Sequence, residues 1–450
     1  MKLIQTSAWY LPDSSGGVEV YLDGLAQDLK LLGVECVIGT PLKPEKTSPL
    51  TLSQTYSPTD HHQTYHHNGI EVYRYASFAA FKGWLQASQS KIYHQHTVRD
   101  SEGSPLRGGC GIPHLRLARE LGMKTILTVH MPEVVCVRGT MMQAGQTACD
   151  GQINVTRCGH CLGVSKRVPP WIAEPLSQLP RSLITASHDR LRQSSDVRFR
   201  QLGTTLRTPA QVRDRAHQLR EIVQLTDRIV VVCQWLYDAL VANGVPETKL
   251  LLSRHGVSPT SHLSRPVSHA SLKIGFLGRW QETKGVQILV QALQHVPRSR
   301  PVELIIHATH ADEHGQANRD RILAIAAQDS RIQIREPLSR ADVPGAIAQF
   351  DLLAVPSQWL ETGPLVVLEA HAVGTPVIGS DLGGIAELVS HGKDGWLIPA
   401  TDPQAWANAI EHLAEHPEVV ATLKQGIQPV KTVREVAEEM VGLYEELIED

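Results

Sequence analysis

Residues 359–372 read WLETGPLVVLEAHA and combine a loop, a helix start and a helix. The apolar run 351–357 (DLLAVPS) precedes this stretch and predicts a buried strand. Pro364 marks the predicted helix start, because its ring fixes φ and the first turn of a helix does not need its missing amide hydrogen. Apolar residues then recur at three- and four-residue spacing as far as Ala372, which predicts a helix. Strand, loop and helix in this order are typical of an α/β protein.

The predicted helix start and its two glutamates indicate a binding site. The first turn of a helix presents unpaired amide groups and the positive end of the helix dipole, and both favour a phosphate. Glu361 lies in the loop and Glu369 two turns into the helix. A carboxylate has two acceptor oxygens and suits the paired hydroxyls of a sugar or a ribose. We therefore expect Glu361 and Glu369 to line the same cleft, at two different depths below its opening.

The flanks of these glutamates resemble a known family. Glu361 and Glu369 are separated by seven residues, Gly363-Pro364 lies between them, and GTPVIGSDLGGIAELV follows at 374–389. This pattern resembles the signature of the family-4 retaining glycosyltransferases. The resemblance implies the GT-B fold, an α/β architecture in which two Rossmann-like, doubly wound parallel-sheet domains face a central cleft. It is sharpest in residues 272–400.

Length and composition predict a soluble chain with two domains. The chain has 450 residues, of which 42% are hydrophobic and 20% charged, and this length exceeds that of one ordinary core. No apolar run is long enough for a membrane span, and the start MKLIQTSAWYLP has no signal-peptide pattern. We expect a cytoplasmic protein.

Charge is unevenly distributed along the chain. Residues 1–270 contain 29 Lys and Arg against 21 Asp and Glu, whereas residues 271–450 contain 14 against 25. Segment 157–220 alone has 12 basic and 4 acidic residues. This segment is a candidate for peripheral contact with the inner face of the membrane, or with an anionic acceptor. The alternative is a pair of solvated, arginine-rich helices. Nucleic acid is disfavoured because almost no aromatic residues lie among the charges.

The first 40 residues predict a β-α-β unit with a glycine-rich loop. A strand at 2–9 is followed by a loop ending in Ser-Ser-Gly-Gly, by an amphipathic helix that stops at Gly33, and by a strand at 34–40. Glycine lets a backbone approach a phosphate or sugar closely, although Gly-Gly after a strand is also an ordinary tight turn. In the family resembled, Gly-Gly-x-Glu faces the cleft. This resemblance makes Gly16 and Gly17 candidate donor-binding residues.

Two histidine positions receive different interpretations. Residues 42–68 include DHHQTYHH, which we interpret as a surface loop with solvated histidines and no metal site. His130 instead ends the buried strand 124–130, and ligands of open α/β sheets bind beyond such strand ends. In the family resembled, a histidine after this strand approaches the transferred sugar, which makes His130 a candidate catalytic residue. The alternative is a histidine that caps the strand.

Four cysteines form a candidate metal site, and some members of the family resembled have a cysteine-containing insertion. The spacings are Cys136-x12-Cys149-x8-Cys158-x2-Cys161. Four thiolates suit structural zinc, an iron–sulfur cluster is a second option, and reduced thiols in an ordered loop are the third. A stable disulfide is disfavoured in the cytoplasm.

A second sheet pattern begins at residue 272. LKIGFLG (272–278) predicts a strand, and RWQETKG follows it at 279–285. Two cations on one strand-to-helix loop can hold a diphosphate from two sides. Family-4 enzymes have an Arg and a Lys in this loop, and Arg279 and Lys284 match them. Further buried strands alternate with helices, which predicts a parallel doubly wound sheet.

These patterns predict a domain organisation. Residues 1–258 form an acceptor-side domain that includes the cysteine-rich insertion 131–163 and the basic helical segment 165–225. Residues 259–270 form a linker, and residues 271–430 form the nucleotide-sugar domain. Residues 431–450 form a helix that, by resemblance, packs back on the first domain.

The resemblance implies transfer of a sugar from a nucleotide-diphosphate sugar with retained configuration, as in polysaccharide biosynthesis. The donor is a UDP-, GDP- or ADP-sugar, and the acceptor a glycan, a lipid-linked or a small molecule. Arg279 and Lys284, together with the helix start at Gly363, Pro364 and Leu365, would stabilise the departing diphosphate. Glu369 would hold the ribose, Glu361 the transferred sugar, and His130 would face the reacting centre. No metal cofactor is expected for catalysis, because the motifs contain no Asp-x-Asp pair.

Two alternatives stay open from the sequence. One is a GT-B relative with another reaction, an epimerase or a phosphorylase. The other is a non-catalytic subunit that binds nucleotide sugars.

Overall fold

The computed structural model describes residues 1–14, 16–42, 62–98, 110–179, 191, 196–258, 271–309 and 313–449. The chain divides into two compact units: a first unit, Met1–Arg254 with Val433–Asp450, and a second unit, His255–Thr432. Residues 255–258, which the sequence assigned to the first domain, belong to the second unit, where Val257 forms a β-bridge with Thr432. The predicted linker 259–270 lies outside the described residues.

In the described residues, ten strands belong to the first unit. They are β1 (Lys2–Thr6), β2 (Glu35–Pro41), β3 (His62–His67), β4 (Ile70–Tyr75), β5 (Ile92–Gln95), β6 (Lys124–Val129), β7 (Met142–Gln143), β8 (Thr147–Ala148), β9 (Arg228–Val231) and β10 (Leu250–Leu252). Eight of them form one sheet in the order β10–β9–β6–β5–β1–β2–β4–β3, and β7 and β8 form a separate hairpin. Neighbours in the large sheet are parallel, except β3 and β4, which are antiparallel.

The helices of the first unit are α1 (Gly17–Leu31), α2 (Phe78–Ala87), α3 (Ile112–Glu120), α4 (Val155–Cys161), α5 (Pro170–Ser177), α6 (Val197–Leu225), α7 (Gln234–Ala242) and the C-terminal α15 (Val433–Glu449). Helix α1 buries Leu22, Leu25 and Leu29 completely, as its apolar period requires. The chain leaves α1 through Gly33, whose φ of 83° is a left-handed conformation that favours glycine. Helix α15 packs against α1, and both contribute to one hydrophobic core.

The second unit contains one six-stranded parallel sheet. Its strands are β11 (Leu272–Arg279), β12 (Val302–Thr309), β13 (Ile332–Arg335), β14 (Leu352–Val355), β15 (Val377–Ser380) and β16 (Gly395–Ile398), in the order β13–β12–β11–β14–β15–β16. Its helices are α8 (Val286–His295), α9 (Glu313–Ala326), α10 (Val343–Ile347), α11 (Leu365–Ala372), α12 (Gly383–Leu388), α13 (Pro403–Glu415) and α14 (Pro417–Gly426).

Both faces of this second sheet are buried. In β14, Leu352 and Ala354 belong to one hydrophobic cluster, whereas Leu353 and Val355 belong to another. Alternate side chains of a strand point to opposite faces, so helices cover the sheet on both sides. This arrangement explains why the strands appear in the sequence as continuous apolar runs.

One predicted loop proves to be a strand. The sequence assigned 42–68 to a loop, but His62–His67 forms the edge strand β3 against β4; residues 43–61 lie outside the described residues. This strand buries none of its six residues fully, so it has no apolar alternation to reveal it. Its pairing with β4 and the hydrogen bond from Tyr65 Oη to the Leu11 carbonyl hold it in place.

Candidate functional site

The second sheet changes direction between β11 and β14. The chain moves from β11 outward to β12 and β13, then returns to place β14 on the other side of β11. In open α/β sheets, ligands bind beyond the carboxyl ends of the strands at this kind of switch point. Segment 280–285 follows β11, whose last residue is Arg279, and segment 356–364 follows β14, so both predicted loops lie at this edge.

An ion pair joins these two loops. Lys284 Nζ lies 2.6 Å from Glu361 Oε1. The same oxygen accepts hydrogen bonds from Ser357 Oγ at 2.8 Å and from Trp359 Nε1 at 2.9 Å. The Trp359 ring also lies 5.5 Å from Lys284 Nζ, within the range of a cation–π contact. Lys284 and Glu361, which the sequence assigned to different parts of the donor, therefore form one charged cluster.

Gly285 brings the Lys284 loop close to β14. Its φ is 77°, and a Cβ added there would lie 1.7 Å from the Pro356 carbonyl oxygen. Only glycine permits both the left-handed conformation and this close approach. Gly285 thus fixes the distance between the loop that holds Lys284 and the loop that holds Glu361.

A glycine pair supports the Glu361 loop from another side. The Gly384 amide donates a hydrogen bond of 2.7 Å to the Glu361 carbonyl. A Cβ at Gly383 would lie 2.8 Å from Leu360 Cα, and one at Gly384 would lie 2.6 Å from the Glu361 carbonyl oxygen. The turn that begins α12 therefore packs directly on the backbone of the glutamate loop.

Arg279 differs from Lys284 in its surroundings. It is the last residue of β11 and its side chain is exposed. Within the described parts of the chain, that side chain has no hydrogen-bond or ionic partner. Arg279 therefore remains available to an anion at the same edge of the sheet where Lys284 is held by Glu361.

The predicted helix start is formed by α11. Pro364 occupies the N-cap position, Leu365 is the first helical residue, and the preceding Gly363 is half-buried. The Gly363 carbonyl accepts a hydrogen bond from His255 Nδ1 at 3.1 Å. Burial lowers the pKa of His255 to about 4, so the ring is neutral at neutral pH and donates from Nδ1. His255 thus holds the turn that precedes the first amides of α11.

Glu369 has a separate partner. It lies within α11, is buried, and forms an ion pair through Oε1 with the half-exposed Arg340. The contact is ionic, since the same oxygen has no hydrogen bond of regular geometry in the described residues. A ribose that approached Glu369 would meet Arg340 at the same carboxylate. Glu361 and Glu369 therefore belong to two different charged clusters.

The first unit has a switch point of its own. The chain passes from β1 to β2 on one side, and β5 lies on the other side of β1. Gly16 is the N-cap residue of α1 and Gly17 its first helical residue. A Cβ at Gly16 would lie 2.6 Å from Glu19 Oε2, and Glu19 Oε1 accepts a hydrogen bond from Ser14 Oγ at 2.7 Å. The buried Glu19 carboxylate thus lies against Gly16 and bonds to the loop that precedes α1.

His130 belongs to a buried chain of hydrogen bonds. It follows β6, is 4% exposed, and its Nε2 lies 3.1 Å from His96 Nδ1. His96 Nε2 lies 2.7 Å from Gln5 Oε1, and Gln5 Nε2 donates to Cys36 Sγ at 3.0 Å. The amide oxygen of Gln5 can only accept, so His96 has its proton on Nε2 and accepts from His130 at Nδ1. This series of hydrogen bonds therefore places the proton of a neutral His130 on Nε2.

The four predicted metal ligands lie around one small cavity. It has a volume of about 30 Å³ and is lined, among others, by Cys136, Cys149, Cys158 and Cys161. All four are free, half-buried thiols. The Ala144 amide donates to Cys161 Sγ at 3.1 Å, and the Asn154 amide to Cys158 Sγ at 3.5 Å. In the described residues, however, no three His, Cys, Asp or Glu side chains are arranged to hold a metal ion.

Sequence reasoning missed several partners of the predicted site residues. Ser357 and Trp359 flank Glu361 within four residues, so their position in the loop was a usable signal. His96 ends a predicted strand, as His130 does, which was also a signal. Nothing local marks Arg340 as a partner of Glu369 or His255 as a partner of Gly363. Their roles depend on contacts between distant segments.

Comparison with known sequences matches part of the second unit to a protein family. Residues 271–416 match the family described as glycosyl transferases group 1. A D-inositol 3-phosphate glycosyltransferase of Corynebacterium jeikeium is 34% identical over 145 residues, which cover 31% of this chain and 34% of that protein. The enzyme of the same name from Mycobacterium bovis is 29% identical over 200 residues, or 39% and 41% of the two chains. The chain thus spans well under half the length of these relatives.

Comparison with solved structures covers nearly the whole chain. Sucrose-phosphate synthase from Thermosynechococcus elongatus has a TM-score of 0.64 at 17% identity, with 99% of each chain covered. Anabaena HepE, in complex with UDP and glucose, has a TM-score of 0.63 at 15% identity, again with 99% of each chain covered. These likenesses confirm the predicted fold class. The chain has the GT-B fold, and its residues 271–416 match the glycosyl transferases of group 1.

Proposed function

We propose that the protein is a retaining glycosyltransferase, which moves a hexose from a nucleotide-diphosphate sugar to a glycan, a lipid-linked or a small-molecule acceptor. The observation that supports this proposal best is the pairing of Lys284 with Glu361 at the switch point of the second sheet. The exposed Arg279 and the start of α11 lie on loops at the same edge. A site with these groups suits an anionic diphosphate joined to a hydroxyl-rich sugar.

In the proposed reaction, the bond between the anomeric carbon and the diphosphate oxygen breaks while positive charge develops on that carbon. The acceptor oxygen bonds to the same face of the carbon, and its proton passes to the departing diphosphate. Arg279, Lys284 and the amides that follow Pro364 would stabilise the negative charge on the diphosphate. Glu361 would hold Lys284 in place and accept hydrogen bonds from the sugar hydroxyls. Glu369 would bind the ribose once Arg340 moves aside. In the first unit, we propose His130, whose Nε2 proton is donated to His96, as a catalytic residue, and the turn at Gly16 and Gly17 as part of the donor-binding site.

UDP-sugars are the first donors to test. HepE has been solved with UDP and with UDP-glucose, and a starch synthase of similar fold with ADP. We propose that catalysis needs no divalent metal, because two cations, Arg279 and Lys284, are available for the diphosphate. Hydrolysis that is unaffected by EDTA is the expected result.

The test is a donor screen on the purified protein. Thermal shift and slow hydrolysis are measured with UDP-, GDP- and ADP-sugars, with and without EDTA. We expect one base to stabilise the protein and its sugar to be released with the α configuration. The double variant R279A/K284A should lose hydrolysis. The matched control R298A removes an exposed arginine that precedes β12, at the opposite end of the sheet, and should behave as wild type.

Other outcomes distinguish the alternatives. An epimerised nucleotide sugar, or release of a sugar phosphate in the presence of phosphate, would replace the transferase by an epimerase or a phosphorylase. Thermal stabilisation by a donor without any turnover, also with acceptor mixtures, would favour a binding subunit. Full activity of R279A/K284A would refute the diphosphate role of the two cations.

We also propose that Cys136, Cys149, Cys158 and Cys161 bind one structural zinc ion. The shared cavity and the amide groups directed at two of the sulfurs support this proposal, since such hydrogen bonds stabilise thiolates. Coordination would require the thiols to converge further than in the structure. Elemental analysis of untagged protein should find about one zinc per chain, and C158S/C161S should lose it. Absence of both zinc and iron from the wild type would exclude the site.

A further inference from the structure

Helices α5 and α6 of the first unit expose large apolar side chains to solvent. Trp171 in α5 is 74% exposed, and Phe199 and Leu202 in α6 are 50% and 48% exposed. Leu179, just after α5, is 40% exposed. Ten large apolar residues are exposed in the described ranges, and four of them lie within 171–202. The remaining six are distributed over the rest of the chain, so this segment is an unusual concentration.

Among the described residues, the packing of the two helices buries other side chains than these four. Helix α5 buries Ala173 and Ser177, and Arg213 Nη1 of α6 donates to the Ser177 carbonyl at 3.5 Å. Phe199 and Leu202 are three residues apart, so they share one side of the first turns of α6. We use the name apolar face of α5 and α6 for four exposed side chains on these packed helices or just after α5, namely Trp171, Leu179, Phe199 and Leu202.

Basic side chains accompany the apolar face. Lys166 and Arg167 precede α5 and are exposed, as are Arg198 and Arg207 in α6. Glu174 and Asp196 are the exposed acidic residues in the same described stretch. Segment 157–220 as a whole has 12 basic residues against 4 acidic ones. A surface with exposed Trp and Phe among cations combines two kinds of affinity, one for apolar material and one for negative charge.

We propose that the apolar face of α5 and α6 binds the surface of an anionic lipid bilayer. Trp is favoured at the boundary between headgroups and acyl chains, where its ring is apolar and its N–H can still bond. Lys and Arg beside it are attracted to anionic headgroups. No helix in the described ranges is long and apolar enough to cross a bilayer, so the contact is peripheral.

Charge complementarity favours this occupant over two others. A second copy of the chain would bring the same cations face to face, which is repulsive. A nucleic acid would use the cations, but two exposed aromatic rings offer little stacking for successive bases. An anionic bilayer can interact with both groups, because its acyl chains contact the apolar side chains and its headgroups attract the cations. The contact would hold the chain at a membrane surface.

The test measures binding to vesicles without any donor, so it is independent of the proposed transferase activity. The full-length protein is sedimented with vesicles of phosphatidylcholine, alone or mixed with phosphatidylglycerol. W171S/F199S removes the two aromatic rings, and K166Q/R167Q removes two cations. The matched controls are L31S, at a residue that is 76% exposed on α1, and K82Q/K91Q, at two exposed lysines of the same unit.

We expect the wild type to bind the phosphatidylglycerol vesicles and to be released by salt. W171S/F199S should lower the partition coefficient at least about tenfold, and K166Q/R167Q about five-fold for each cation removed. Both controls should bind as wild type. Failure of the wild type to bind, or equal binding by W171S/F199S, would overturn the proposal. Self-association in solution that W171S/F199S abolishes, with no vesicle binding, would assign the face to a second copy instead.

Discussion

The ion pair between Lys284 and Glu361 is the strongest test of the site in the second unit. In the variant E361Q, the glutamine keeps an acceptor oxygen for Ser357 and Trp359 but has no charge to hold Lys284. The ammonium group then has neither its partner nor a fixed position relative to a bound diphosphate. We expect a loss of stability and a larger loss of catalysis.

The size of the stability effect follows from burial. Exposed ion pairs contribute about 0–1 kcal/mol, whereas removal of one partner from a fully buried pair costs about 3–5 kcal/mol. The Lys284 side chain is 23% exposed and that of Glu361 is 8% exposed, so the pair lies between these limits. We expect the free energy of unfolding to fall by about 2 kcal/mol. For a unit of 178 residues (255 to 432), the melting temperature should fall by about 4–8 °C.

The assay compares three quantities in E361Q and in wild type. Thermal unfolding gives the stability, calorimetry gives the affinity for the free nucleotide, and donor hydrolysis gives kcat. We expect nucleotide affinity to change less than about threefold, while kcat falls about 100-fold, because charge stabilisation matters most in the transition state. The control E282Q removes an exposed ion pair between Glu282, in the loop that holds Lys284, and Arg321 in α9, and it should change little. Unchanged kcat and unchanged melting in E361Q would refute this role of the pair.

Four further predictions concern other parts of the molecule. H96L should lower kcat about tenfold with little change in the donor KM, and H96N should recover part of it, since an amide can still bond to His130; equal activity of both variants would exclude the positioning role. G285A should destabilise the second unit by about 3 kcal/mol in urea unfolding, because its Cβ meets a carbonyl oxygen. E369Q should weaken nucleotide binding about tenfold without a change in the circular dichroism spectrum; unchanged affinity would contradict its ribose role. Finally, His255 has a pKa of about 4 in the fold, below its unfolded value of about 6.5, so the unfolded state binds more protons. His255 therefore contributes up to about 3 kcal/mol to the free energy of unfolding above pH 6.5, and this contribution is lost as the pH falls towards 4. Urea titrations of wild type and H255N should differ in this pH range.

Local patterns in the sequence were sufficient to predict the parallel sheets. The runs at 124–130 and 351–357 contain β6 and β14, because strands buried on both faces are predominantly apolar. Pro364 correctly marks the start of α11. The edge strand β3 was missed because its residues are polar and none is fully buried. A strand of this kind is held by backbone pairing with its neighbour, which leaves no trace in side-chain periodicity.

The sequence by itself determined the GT-B architecture and the candidate residues at the ends of its strands. Only the tertiary structure decided which of these residues are partners. Lys284 and Glu361 are 77 residues apart and meet because β11 and β14 are adjacent in the sheet. Arg340 reaches Glu369, and His96 reaches His130, from segments that are also distant in the chain. Periodicity and turn chemistry act over a few residues, whereas strand order, which sets these pairs, depends on how the whole chain packs.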